Sequence, residues 1–207
     1  MNKFIPVLGV LGIGGIAGLG TALSHSMSDK ETIKDKLLKE GYKLLKEDGA
    51  EWGKILEAYK NDKNVWKLKK EHSGISEDIQ NEFDLKAACK TVVKAESSIK
   101  ELYKSVTKWC VVPRKAEEFV TGLLGVDANN TNDTSAWQHN IDGYKATHQS
   151  SGGKYEWSDV SFENNGNAED LKKLKNGCKT RRDKLTYDVE FDTTISEINK
   201  WCLGKKS

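Results

Sequence analysis

The chain has 207 residues, and its 33 lysines and arginines nearly balance 31 aspartates and glutamates, for a net charge of +2. That balance argues against a dedicated nucleic-acid binder. Arginine, whose planar fork reads phosphates and bases, is confined to Arg114, Arg181 and Arg182. With 31% charged and 37% hydrophobic residues, the body is water-soluble and only ordinarily apolar, and the length allows one or two domains.

Phe4 to Leu23 is uncharged and apolar or small, with Lys3 before it and Ser24-His-Ser-Met-Ser-Asp29 after it. Twenty helical residues reach about 30 Å, the thickness of a bilayer core. The segment reads as a membrane anchor, with Gly14 and Gly18 spaced for close helix packing in lipid. A cleaved export signal, with Ala22 and Ser24 near the cut, and a glycine-rich tail are the alternatives. Gly12-Ile-Gly-Gly-Ile-Ala-Gly18 resembles a dinucleotide-binding turn but has no preceding strand, so no cofactor is inferred.

Ser28-Asp-Lys-Glu31 has the capping-box pattern, and Ile33, Leu37, Leu44 and Leu45 follow at helical spacing up to a break at Gly49. Trp52, Ile55, Leu56 and Tyr59 form one apolar stripe, read as core before ligand surface. Val65, Trp66 and Leu68 sit in a polar loop. A helix is expected from Ser76, with Ile79, Phe83 and Ala87 on one face. Another follows the Ser98-Ile-Lys-Glu101 capping box, with Ile99, Leu102, Tyr103, Val106 and Cys110 along it. Pro113 stops that helix, Arg114 to Leu124 reads as a further helix, and Asp127 to Ser135 is a turn-forming linker holding two glycosylation triplets at Asn129 and Asn132.

Much of this order then recurs. Trp52 and Tyr59 are answered by Trp137 and Tyr144, Asp84-Leu-Lys with Cys89 by Asp170-Leu-Lys with Cys178, and Lys108-Trp109-Cys110 by Lys200-Trp201-Cys202. Four landmarks in one order at similar spacing mark a duplicated module. The second copy carries Gln149 to Trp157 where the first has the Trp66 loop, a helix from Asn167, and the stripe Phe191, Ile195, Ile198 and Cys202. The reading is a mainly α-helical chain: a hydrophobic segment over 1–27, a first module over 28–124, a linker over 125–136 and a second module over 137–207. Strand alternation is only faint, around Tyr155 to Phe162 and Tyr187 to Phe191.

The sequence offers no recognisable catalytic, metal-binding or phosphate-cradling motif. His25, His72, His139 and His148 fit no metal-ligand spacing, and the lysine clusters at 67–70 and 172–175 read as solvated faces. Catalytic, cofactor and metal residues are therefore none. The cysteines carry the information. A helix from Ser98 to Cys110 is about 20 Å long, and residues 90–97 can stretch about 26 Å, enough to bring Cys110 back beside Cys89. The same holds for Cys178 with Cys202. A module that can be copied intact carries its own staple, so the pairing within modules is expected; four free buried thiols in a cytosolic protein are the alternative. Trp52, Tyr59, Trp109, Trp137, Tyr144 and Trp201 are the expected module cores.

The glycine-rich start, the twin Trp-x6-Tyr helices and the twin cysteine pairs ending in Trp-Cys resemble the short paralogous proteins of haemotropic mycoplasmas. Gly152, Gly153 and Gly177 depart from the pattern in the second copy. The resemblance spans nearly the whole chain and implies a membrane-associated surface protein in contact with erythrocytes or in antigenic variation; it carries over no catalytic residue. The expected function is thus non-enzymatic display and binding from the cell membrane, with an external body, or a secreted one if the segment is cleaved. Its partners would be the membrane through that helix and the host cell surface or antibody, with no nucleic acid and no small-molecule substrate. A membrane-tethered cytosolic scaffold is the alternative, since Lys30, Lys34, Lys36 and Lys39 follow the segment and favour an internal body; a hydrolase is a further one.

Overall fold

The computed structural model describes residues 30–75, 78–162 and 167–204. The expected hydrophobic helix from Phe4 to Leu23 and the capping serine Ser28 lie outside them. Among the described residues no helix is long and apolar enough to cross a membrane.

Mainly helical is the correct class. The helices are α1 (Ile33–Lys39), α2 (Trp52–Lys60), α3 (Lys70–Ser73), α4 (Glu82–Val92), α5 (Lys100–Trp109), a 3-10 helix (Ala116–Phe119), α6 (Thr134–Ser150), α7 (Asn167–Arg182) and α8 (Phe191–Trp201). Pairing between extended segments is limited to four isolated antiparallel bridges among the described residues, and those bridges define the repeat. Ile33 N–H donates to the Ala95 carbonyl at 2.8 Å, as Ala116 N–H does to Lys184. Leu45 N–H donates to the Cys110 carbonyl at 3.0 Å, as Leu124 N–H does to Cys202. Each copy therefore opens on an extended segment that pairs first with the connection between its cysteine helices and then with its closing cysteine.

This pairing places the seam at Pro113 and corrects the expected boundaries. Arg114 to Leu124 does not end the first module as a helix; it opens the second. Only Ala116–Phe119 turns, because the flanking amides are taken by carbonyls distant in sequence and Gly122 adopts φ 77°. Ala116 and Leu124 are buried in the second core, with Phe119, Val120, Leu123 and Val126 packed against it. The stretch 125–136 is likewise part of that module, with α6 beginning inside it at Thr134.

Local signals were also redirected. Helix α1 is capped by Thr32, whose hydroxyl accepts from Asp35 N–H at 3.2 Å. Glu31 instead takes Lys39 and the Ser97 hydroxyl. The helix ends before Gly41, at φ 78°, so Leu44 and Leu45 leave its stripe and enter the bridge to Val111. Helix α4 starts at Glu82 behind Asn81, whose side chain accepts from Asp84 N–H at 3.0 Å. Ile79 is buried ahead of it, and Phe83 is 79% exposed rather than on the apolar face. Ser98 forms no capping box; its hydroxyl goes to Glu96.

The two copies pack directly on each other. The Arg114 guanidinium lies 4.4 Å from the Phe119 ring and 5.1 Å from that of Tyr42. The Phe119 ring lies 6.1 Å from that of Tyr42 across the seam and is backed within its own copy by Phe191, edge-on at 5.5 Å. Lys108, only 5% exposed, reaches the Asp188 carbonyl at 3.4 Å, and burial lowers its pKa.

Candidate functional site

The residues singled out in the sequence gather into two equivalent centres. In the first, the Trp52 indole N–H donates to the Lys46 carbonyl at 2.7 Å, and the Tyr59 hydroxyl accepts from Leu68 N–H at 3.1 Å. The Tyr59 ring meets Trp109 edge-on at 5.3 Å, and Cys89 is bonded to Cys110 across a Cα separation of 5.4 Å. In the second, Trp137 donates to Gly125, and Tyr144 accepts from Trp157 N–H at 2.9 Å. Tyr144 meets Trp201 at 5.2 Å, and Cys178 is bonded to Cys202 across 5.7 Å. All six aromatics are at most 3% exposed. Burial pushes the Tyr144 phenol up to about 12, so it stays a neutral hydrogen-bonding group. These centres are packing devices in which aromatic edges, indole donors and a disulfide fix one geometry.

The copies differ around this shared frame, and the differences follow once the helices are aligned on their cysteines. Asp84 and Asp170 then fall three residues out of step, since Asp84 precedes its cysteine by five residues and Asp170 by eight. The resemblance of those two segments was one of letters. The partner of Trp157 is likewise Leu68 rather than Trp66, because those two amides hold the tyrosine hydroxyls. Trp157 is accommodated by Gly177, where a Cβ would lie 3.0 Å from the indole and 2.5 Å from Val160. The first copy has Ala88 there and Leu68 in place of the tryptophan, both buried in its core. Ile55 of α2 is replaced in α6 by Asn140, fully buried, whose amide donates to the Trp201 and Leu203 carbonyls at 3.0 Å each. The Trp201 carbonyl is in the last turn of α8, which lacks intrahelical donors for it, and Leu203 follows in the bridge to Leu123.

Charge separates the copies further. Val92 and Val93 of α4 correspond to Arg181 and Arg182 of α7. Arg181 lies 3.6 Å from the Trp157 ring and pairs with Asp159 and Glu197. That guanidinium holds Asp159 below the usual carboxylate range, whereas burial outweighs it at Glu197 and raises its pKa. Arg182, 6% exposed, donates to the Leu124 and Cys202 carbonyls at 2.6 and 3.2 Å. Lys175 is fully buried and donates to the Asp127 and Asn130 carbonyls at 3.0 and 2.5 Å. Its counterpart Lys86 pairs with Glu82 at 3.1 Å, its side chain 29% exposed.

Cavities open at the surface among the described residues. One of about 330 Å³ lies beside the first disulfide, between α4 and the Leu44–Leu45 segment, with Trp52 and Val93 in its wall. A second, of about 300 Å³, holds Trp66, His72 and Ile99; a third, of about 130 Å³, lies at the seam between Tyr42 and Phe191. The described histidines do not converge: His148 stacks on Tyr155 at 4.0 Å, His72 lies beside Glu71, and His139 is exposed on α6, while His25 lies outside the described residues. Among the described residues no group of three or more histidine, cysteine, aspartate or glutamate side chains is placed to hold a metal ion.

Compared with protein-family models, curated proteins and solved structures, the chain matches none.

Proposed function

We propose that this chain is a non-enzymatic surface or exported protein that works by display and binding, its two-module body held outside the reducing cytosol. The observation that carries the reading is the pair of disulfides, one closing each copy. Such bonds persist in oxidising compartments and are rare where glutathione keeps thiols reduced. The apolar Phe4–Leu23 segment supports tethering or export, and the resemblance to haemotropic mycoplasma surface families supports a role in host contact or antigenic variation. The lysines at 30, 34, 36 and 39 favour a second reading, a membrane-tethered body facing the cytosol.

Protease shaving of intact cells separates the two. Loss of the 30–204 body with an intact cytosolic control supports display; complete protection, with alkylation of four free thiols after rapid lysis, overturns it in favour of the internal scaffold.

A further inference from the structure

The second copy carries a built-in occupant for the place that stays open in the first. Between the extended entry segment and the tryptophan of the helix that follows, the first copy has six residues, 46–51, and the second has twelve, 125–136, the last three of them already in α6. The longer connection folds over its own centre. Val126 packs on the core, and the Asp127 and Asn130 carbonyls accept from Lys175, which also lies 5.9 Å from the Trp137 ring. Arg182 fills the space next to it, bonded to the carbonyl of Leu124 and to that of the closing cysteine, Cys202. In the first copy the same frame has a lysine over the tryptophan, Lys86 at 5.6 Å from Trp52, but a valine, Val93, in place of the arginine and no covering loop. The result is the open groove of about 330 Å³, and its lining has four lysines, Lys34, Lys86, Lys90 and Lys94, to one acid, Glu47. Lys86 and Lys90 are met by Glu82 and Glu47, and the rim still carries more positive than negative groups.

We infer that this groove of the first copy is a receptor for an acidic, turn-forming loop of a partner protein, seated as residues 127–130 are seated in the second copy. The occupant's chemistry follows from the template. Backbone carbonyls turned toward the α4 lysine would accept from Lys86, as those of Asp127 and Asn130 accept from Lys175. Carboxylates on the loop would complement Lys34 and Lys94 at the rim. A small apolar side chain in the position of Val126 would lie on Trp52 and Val93. The inference rests on the reading of this chain as a binding protein, but the groove is tested on purified protein and the location of the body on whole cells, so each can fail without the other.

The test uses the full chain with its disulfides intact and a fluorescent peptide of the sequence Gly125 to Thr134, cyclised through one cysteine added at each end and read by anisotropy. Saturable binding is expected. It should weaken about tenfold or more in Val93→Arg, which places in the first copy the side chain that occupies the second, and weaken with salt as surface charge pairs do. The exposed double variant Lys34→Glu/Lys94→Glu should show a comparable loss with an unchanged melting temperature, which keeps the result independent of folding. Absence of binding, or equal binding by wild type and both variants, overturns the inference. So does an inert peptide together with groove-dependent binding to phosphatidylglycerol vesicles over phosphatidylcholine ones, which would make the ligand an anionic lipid.

Discussion

Removing one disulfide at a time measures how the modules are held. The pairs close loops with sequence separations of 21 and 24. In the chain-entropy relation these loops stabilise the fold by about 3.3 and about 3.4 kcal/mol at 25 °C, a difference too small to resolve. Replacing both members of a pair avoids stranded thiols, so the variants are Cys89→Ala/Cys110→Ala and Cys178→Ala/Cys202→Ala. All four cysteines are at most 6% exposed, and the loss of buried sulfur is similar in the two. Because the copies share the Phe119–Phe191–Tyr42 contact, urea unfolding followed by tryptophan fluorescence should remain one transition. For an m-value of about 2 kcal/mol/M, each variant's midpoint should fall by about 1.7 M. A loss under about 1 kcal/mol in either variant would show that the unfolded chain does not gain the expected freedom. A gap of more than about 1 kcal/mol between them would refute loop closure as the main term and point to folded-state contacts, such as those at the Cys202 carbonyl.

Two further predictions concern the second copy. Gly177→Ala would bring a methyl to 2.5 Å from Val160 and 3.0 Å from Trp157, so overpacking should outweigh the better helix propensity and cost about 1–3 kcal/mol in urea unfolding; adding Trp157→Leu, which gives the second copy the first copy's residue type at both positions, should recover part of the loss, and simple additivity of the two substitutions would contradict the packing account. Acid stability has two opposing contributions. Hydrogen bonds from Arg181 to Asp159, and from Lys115 and Lys179 to Asp183, hold those carboxyls below their ordinary 3.8. Their stabilisation is present above that value and is lost as pH falls through the lower folded values. Glu197, raised above 4.5 by burial, acts in the other direction, contributing fully below 4.5 and losing that contribution as pH rises through its folded value. The melting temperature should therefore drop as pH falls below about 4, and Asp159→Asn should flatten part of that drop; an unchanged profile in the variant would exclude the Arg181 pair as a source.

The parts of this fold that could be read from the sequence are those written in local periodicity. Trp52, Ile55 and Tyr59 share a helix face whatever surrounds them, and the reach of residues 90–97 and the length of a helix to Cys110 were enough to foresee both cysteine pairs. The seam at Pro113 could not be read the same way. It is set by backbone bonds, Leu45 to Cys110 and Leu124 to Cys202, which any side chain permits and which leave no pattern in the letters. Competition hid other features: Ser98 has a capping residue's place in the sequence, but its hydroxyl is drawn to Glu96. In the sequence Gly177 is a departure from the first copy's pattern, and only the distance to Trp157 shows it to be a point of close packing.

The same lysine position in two environments shows why the groove is invisible in sequence. Lys86 and Lys175 stand three residues before their cysteines, each with its ammonium near a tryptophan face. In the second copy the long connection buries backbone carbonyls, and buried carbonyls require donors. Lys175 and Arg182 supply four such bonds, to Asp127, Asn130, Leu124 and Cys202, so both side chains are held in the interior by the carbonyls they bond. The first copy, with six residues fewer between its bridge and its tryptophan, brings no such carbonyls onto Lys86. Valine can therefore stand where Arg182 stands, and Lys86 turns to Glu82 at the surface. Loop length decides which copy closes over its own centre, and the lysine, present in both, adapts to whichever acceptors that length provides.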